Sequence, residues 1–179
     1  MCIRDSTRTS LKKLHGITAK KPLERVFMDL WGPAPVSSVG GGKYFLSIID
    51  DFSRKVDVFI IKCKTEVFKC FKLYLAKAER ELNSKLKCVR TDNGLEFVHK
   101  EFEDFLSDLG IKMERSSVYT PEEVGVAERF NRTAIEGVRS LLLDSGLKPS
   151  FWAEALHTFV HVRNRCEHSL TKDQTPIER

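Results

Sequence analysis

Tyr119-Thr120-Pro121-Glu122-Glu123-Val124-Gly125-Val126-Ala127-Glu128-Arg129-Phe130-Asn131-Arg132 runs from a proline-broken polar loop into a long helix and sets Glu128 in the first turns of that helix. On a wheel of about 100° per residue, Arg132 and Arg139 fall within about 40° of Glu128, with Val126, Phe130, Ala134, Val138 and Leu141 on the adjoining side. A carboxylate beside an apolar stripe, followed in line by two arginines, is an odd choice for a plain surface residue. Two more carboxylates sit in equally odd places. Asp92 ends the run Val89-Arg90-Thr91-Asp92-Asn93-Gly94, and Asp29 lies in Val26-Phe27-Met28-Asp29-Leu30-Trp31-Gly32-Pro33. Each closes a short, apolar, strand-like segment; 35 residues separate Asp92 from Glu128, and 62 separate Asp29 from Asp92.

Gathering three carboxylates from separate elements is unfavourable, because like charges a few ångströms apart raise one another's pKa values. A divalent cation removes that cost. Two Mg²⁺ ions about 3.5–4 Å apart can clamp the attacking and leaving oxygens of an in-line phosphoryl displacement. Mg²⁺ also prefers one or two protein carboxylates plus substrate phosphates to a full protein cage. Phosphodiester chemistry, with Mg²⁺ or Mn²⁺ as a pair of ions, is the natural reading.

Five blocks then occur in order: Asp29-Leu-Trp-Gly-Pro, Ile49-Asp50-Asp51-Phe52-Ser53-Arg54, Thr91-Asp92-Asn93-Gly94, Thr120-Pro121 to Glu128-Arg129, and Phe151-Trp152-Ala153-Glu154-Ala155. Together they resemble the integrase catalytic core of copia-type retrotransposons, whose signature is two aspartates and a glutamate with 35 residues between the last two. The resemblance covers about residue 20 to the end. It implies an α/β, ribonuclease H-like fold, a five-stranded mixed sheet flanked by helices with further helices at the C-terminus, in which the first and fourth strands are neighbours. It also implies that Asp29, Asp92 and Glu128 are both the catalytic and the metal-holding residues, and that Asn93, Arg129, Arg132 and Arg139 meet DNA. The implied activity is metal-dependent polynucleotidyl transfer, trimming the 3′ ends of element DNA and joining them to target DNA. A homo-oligomer of the full-length protein, inside the cell and in the nucleus for the integration step, goes with it. A ribonuclease H-type nuclease uses the same fold and metals, and a domesticated DNA-binding module without turnover is the reading from another class.

Composition bounds these readings. The length of 179 residues suits one domain with a real core. No run of about 18 apolar residues exists to span a membrane, and the first residues lack the apolar stretch of a signal peptide. The net charge of +5 is carried by residues 1–25, leaving the rest neutral; a solvated basic leader explains it without DNA. Residues 1–20 are therefore expected to be a basic, disordered linker with a non-native start at Met1–Ser6, and residues 21–179 the core. None of the five cysteines forms a Cys-x-x-Cys pair, which argues against a zinc ribbon. His157 and His161 lie four apart on a helix with no acid between them to complete a metal site, so packing or surface roles are expected.

Periodicity orders the elements. Strands are expected at 25–30, 43–50, 56–61, 86–91 and 111–115, with Asp51 to Arg54 as a hairpin turn and Gly40-Gly41-Gly42 as a loop without a phosphate-cradling lysine. Thr65 is expected to cap a helix with Val67, Phe68, Phe71, Tyr74, Leu75, Ala78 and Leu82 inward and Lys69, Lys72, Lys77 and Arg80 on a solvated face. A short helix through Phe102, Phe105, Leu106 and Leu109 stops at Gly110. The Glu128 helix runs to about Ser145-Gly146, and Ser150 is expected to cap a last helix that turns Trp152, Leu156 and Val160 inward.

Each member of the triad has a plainer alternative. Asp29 could cap a turn, Asp92-Asn93-Gly94 could be an ordinary Asx-Gly turn, and Glu128 could serve the helix dipole or pair with Arg132. Asp50 and Asp51 are read as structural. The chain also departs from the resembled pattern: Glu122-Glu123-Val124 replaces the usual Gln-Gln-Asn, putting two acids where amides could donate to phosphate, and weaker DNA engagement is expected.

Overall fold

In a computed structural model that describes residues 19–92, 94, 97, 100–115, 125–167, 170–171 and 173–179, the first three strands form an antiparallel meander. They are β1 (Val26–Trp31), β2 (Tyr44–Asp50) and β3 (Val56–Ile61). β4 (Cys88–Thr91) returns parallel to β1, and β5 (Lys112–Arg115) lies parallel to β4, giving the spatial order β3-β2-β1-β4-β5. The crossover from β3 to β4 is made by α1 (Val67–Leu82), and that from β4 to β5 by α2 (Lys100–Asp108). The chain then continues through α3 (Gly125–Ser145) and α4 (Trp152–Arg163).

Strand alternation sends successive side chains to opposite faces. Val26 and Met28 of β1 join Leu46, Ile48, Phe71, Leu75, Phe102 and Leu106 in a core under α1 and α2. Phe27 points the other way, to a second core with Phe45, Ile49, Ala127, Phe130, Trp152 and Leu156 under α3 and α4. With both faces covered, β1 and β2 read as nearly continuous apolar runs. Position 29 falls on the Phe27 face, the one on which α3 lies.

Register does the rest. Val26 pairs with Val89 and Phe27 with Arg90 across the β1–β4 ladder, so two residues farther on Asp29 and Asp92 come level. The adjacency that the resemblance implied is present. Just beyond, Gly32 has a φ of +132°, and a Cβ there would lie 2.6 Å from the Tyr44 ring and 2.8 Å from the Lys43 carbonyl oxygen, so only glycine fits where the chain crosses the start of β2.

Two expected caps differ. A 3-10 turn (Lys64–Glu66) precedes α1, and Glu66 reaches back across it, its Oε1 accepting from the Lys62 and Cys63 N–H groups just before the turn at 3.0 Å each. A charged acceptor serving two donors displaces Thr65, whose hydroxyl meets the Cys63 thiol. Ser150 likewise lies inside a 3-10 turn (Pro149–Phe151), and its carbonyl accepts the Val39 N–H. The helix stops behave as expected, at Gly110 (φ +68°) and Gly146 (φ +66°). Lys72 sits 4.1 Å from the Phe68 ring centroid, and Lys77 pairs with Asp57 and Glu81, so the basic face of α1 is partly self-neutralised. Cys63, Cys70, Cys88 and Cys166 are free thiols. No helix among the described residues is long and apolar enough to cross a membrane.

Candidate active site

Asp29 is the fixed member of the site. Its Oδ1 accepts the Leu30 N–H at 2.9 Å and its Oδ2 accepts the side-chain amide of Asn131 at 2.8 Å, while the Ser47 hydroxyl donates to its backbone carbonyl at 3.2 Å. Burial, then the charge of Asp92, and more weakly that of Glu128 raise its carboxyl from 3.8 to about 6, against the lowering effect of the Leu30 and Asn131 donors. Three carboxylates, from the middle of β1, the end of β4 and the first turn of α3, thus share one electrostatic neighbourhood.

Asp92 closes an Asx turn through the Gly94 N–H, which it accepts on Oδ1 at 3.0 Å, and its backbone carbonyl accepts the Thr91 hydroxyl. Glu128 is exposed. Among the described residues no ion pair joins it to Arg132, so the pairing alternative is not what holds it. Nor do three or more His, Cys, Asp or Glu side chains among the described residues close into one metal-coordinating group. The donor set is nonetheless of the right chemistry. Hard carboxylate oxygens that repel one another suit a small divalent cation that needs only one or two of them and completes its shell from water and phosphate.

Asn131 is the residue that sequence reasoning missed. It is buried on α3 between Phe130 and Ala134, and after its amide nitrogen is given to Asp29 its own oxygen is buried without a hydrogen-bond partner. The available signal was an asparagine, a poor helix former, within an apolar stripe one turn after Glu128.

The arginines separate. Arg129 folds back over Gly125, where a Cβ would lie 2.4 Å from its Nη1, and its charge is felt at Arg54. Arg132 and Arg139 are exposed. Arg139 lies three turns beyond Glu128, about 16 Å along the axis, on the rim of an apolar groove of about 180 Å³ between Trp31, Pro35, Leu142 and Trp152. Only Arg132 is within one turn of Glu128 on its own edge of the helix. Asn93 and the Glu122-Glu123-Val124 segment lie outside the described residues, as do residues 1–18.

Asp50 and Asp51 are used up by the fold. Asp50 accepts the Leu23 N–H at 2.8 Å and both the N–H and the hydroxyl of Ser53 at 2.7 and 2.8 Å. Asp51 is paired to buried Arg54 at 3.0 Å and accepts the Ala19 N–H. His157 and His161 are exposed on α4, and the His161 Nδ1 meets Arg165. Trp31 and Trp152, from blocks far apart in sequence, meet with ring centroids 6.0 Å apart, and the Trp152 indole N–H donates to the Val36 carbonyl.

Comparison with known proteins gives the family and the fold. Residues 19–121 match the model of the family described as "Integrase core domain"; the match holds Asp29 and Asp92 and ends before α3. The chain is 47% identical over 143 residues to the retrovirus-related Pol polyprotein from transposon TNT 1-94 of Nicotiana tabacum. Over 163 residues it is 30% identical to that from transposon RE2 of Arabidopsis thaliana. These alignments take in 80% and 91% of this chain but only 11% of either polyprotein. Among solved structures, the simian T-cell lymphotropic virus intasome superposes with a TM-score of 0.70 over 87% of this chain and 53% of that one, at 18% identity. The magnesium-bound HTLV-2 integrase catalytic core domain gives 0.63 over 88% and 95%, at 21% identity. At these identities the two structures speak for the fold, five mixed strands flanked by helices as in ribonuclease H-like cores, while the sequence match speaks for the family. The chain belongs to the integrase core domain family, in the branch found in copia-type retrotransposon Pol polyproteins.

Proposed function

We propose that this chain is the catalytic core of a retrotransposon integrase, a metal-dependent polynucleotidyl transferase that trims element DNA ends and joins them to target DNA. The observation that carries the reading is the convergence of β1, β4 and α3 on Asp29: the β1–β4 register brings Asp92 level with it, Asn131 of α3 donates to its Oδ2, and burial with the charges of Asp92 and Glu128 pushes its carboxyl up to about 6, a cost that a divalent cation would relieve. Asp29 and Asp92 would hold one Mg²⁺ or Mn²⁺, and one of them with Glu128 a second. When bound, the ions supply Lewis-acid polarisation of the scissile phosphodiester and charge neutralisation for the attacking and leaving oxygens.

The chain's own part is positional. Leu30 and Asn131 orient the two oxygens of Asp29, and the β1–β4 register sets Asp92 level with it. Glu128, exposed at the start of α3, can approach once a phosphate is seated, and Arg132 on the same edge offers a guanidinium to a neighbouring phosphate. In trimming, a water oxygen bonds to phosphorus as the P–O3′ bond breaks, leaving a 3′-hydroxyl on the element end. In joining, that hydroxyl oxygen attacks a target phosphate and the target's P–O3′ bond breaks, so phosphodiester bonds are conserved. Partners would be element ends, target DNA and further copies of the full-length protein, with the joining step in the nucleus.

A strand-joining assay on a labelled duplex, with Mg²⁺ or Mn²⁺ and with EDTA, tests this. Joined product in the metal lanes, lost in Asp92→Asn while the metal-free protein stays folded, is the expected result. Unchanged joining by Asp92→Asn would end the assignment.

A further inference from the structure

The Asp51–Arg54 turn and the end of α4 make a second electrostatic construction on the α3 face of the sheet, and nothing in the proposed chemistry uses it. Arg54 is buried with a φ of +62°, and its guanidinium is paired to Asp51 and lies 5.9 Å from the centroid of the Phe27 ring. Its carbonyl oxygen accepts the Nη1–H of Arg163 at 3.1 Å, and the Arg163 guanidinium lies 5.2 Å from the centroid of the Phe130 ring. Burial and the Arg54 charge both make it harder for Arg163 to stay charged, so the pair persists because aromatic faces and Asp51 compensate it.

The two rings are placed with a consequence. Phe27 is two residues before Asp29 on β1, and Phe130 two residues after Glu128 on α3. Both belong to one buried cluster. Arg54 and Arg163 therefore join the strand that carries the first carboxylate to the helix that carries the third, through rings two residues from each. Resting on the integrase reading above, we propose that Arg163, braced by the Arg54 carbonyl, is a positioning residue that sets the first turn of α3 against β1 and so the spacing of Glu128 from Asp29. It touches neither substrate nor the carboxylates; it acts through Phe130.

Uptake of Mn²⁺ alone, followed by electron paramagnetic resonance on the purified chain without DNA, tests this together with metal-free melting temperatures. Arg163→Met should weaken Mn²⁺ binding by about tenfold, the scale seen when a supporting residue behind metal ligands is removed. Arg163→Lys, which keeps a cation over the ring, should recover most of it. Phe130→Leu, which keeps the arginine and removes the ring, should match Arg163→Met and covers the case in which that variant fails to fold. Phe71→Leu, in the opposite core under α1, lowers stability without touching the construction and should bind Mn²⁺ as the parent does. Equal Mn²⁺ binding by parent and Arg163→Met, or equal weakening in Arg163→Met and a stability-matched Phe71→Leu, overturns the positioning role. If the parent takes up no Mn²⁺, or Asp29→Asn binds it unchanged, the integrase site itself is wrong and the positioning role goes with it.

Discussion

Asn131 donates its side-chain amide to the Oδ2 of Asp29 at 2.8 Å, joining two residues 102 positions apart in sequence. The contact ties α3 to β1 at the level of the carboxylates and leaves the amide oxygen of Asn131 buried without a partner. It is one of the two donors that hold the Asp29 carboxyl down against burial and like charge. In metal-free protein, Asn131→Ala should therefore raise the Asp29 pKa above 6, read by carboxyl-carbon NMR titration, and cost about 1–3 kcal/mol in urea unfolding. Asn131→Asp should raise it further, because a second carboxylate then faces the first. An Asp29 titration left in place by both would mean that the contact carries no electrostatic weight.

The pH dependence of stability has a definite sign at this residue. The Asp29 carboxyl is raised on folding from 3.8 to about 6, so between those values the folded chain holds a proton that the unfolded chain has released. The stability it contributes is fully present below the unfolded value and is lost as pH rises through about 6, by about 3 kcal/mol for a shift of roughly two units. Asp29→Asn in EDTA should then melt higher than the parent at pH 7.5, at about 2–4 °C per kcal/mol for a chain of this size, with the gap shrinking toward pH 4. Calorimetry at the two pH values checks it, and a gap that widens on acidification would reverse the assignment of cause.

Breaking the buried Asp51–Arg54 pair takes away the 3.0 Å partner of Asp51 and leaves it Arg25 at 3.9 Å and the Ala19 N–H. Arg54→Ala should destabilise the chain by about 1–3 kcal/mol, the cost to a buried polar group of losing one partner, whereas opening the exposed Lys85–Glu79 pair with Lys85→Ala should cost no more than about 1 kcal/mol. Urea unfolding of the two variants side by side separates them.

Asn164 is a third point of leverage. Its Oδ1 accepts the Val56 N–H at 2.9 Å and its Nδ2 donates to the Val56 carbonyl at 2.8 Å, both buried. Asn164→Asp keeps the acceptor and turns the donor into a second oxygen against a carbonyl, so about 1–3 kcal/mol should be lost, more at neutral pH than at pH 4. Equal loss at both pH values would point to packing instead.

β1, β2 and β3 were legible because each is rich in Val, Ile, Phe and Leu between polar turns; β4 (Cys-Val-Arg-Thr) and β5 (Lys-Met-Glu-Arg) are shorter and more polar, yet all observed ends fall within two residues of the expected ones. Asp29, Asp92 and Glu128 each had a plainer reading as a turn or helix-end residue, and stood out only together, through the order and spacing of the five blocks; the expected strand end at Asp29 is in fact mid-strand, since β1 runs on to Trp31. The caps misled because propensity favours Thr65 and Ser150 locally, while Glu66 and Pro149 a residue away decide the geometry. Asn131 and Arg163 were invisible for a different reason. Their partners, Asp29 and Arg54, lie 102 and 109 residues away, and only a folded sheet brings them together. On the arginine edge of α3 the wheel aligns Arg132 and Arg139 in angle but says nothing of the three turns between Arg139 and Glu128.

The Asn164 amide, reading both backbone groups of Val56, acts as a one-residue strand laid on the open border of β3. That border, Val-Asp-Val-Phe-Ile-Ile, is a template on which another extended chain could polymerise. The amide stands at the end where β3 begins, and it arrives there only because α4 precedes it. Shortening the domain from its C-terminal side is therefore not a neutral trim: cut between Arg163 and Asn164, the protein keeps every carboxylate of its site and the Arg163 brace but loses the guard on its own sheet, and insolubility rather than inactivity is the phenotype to look for.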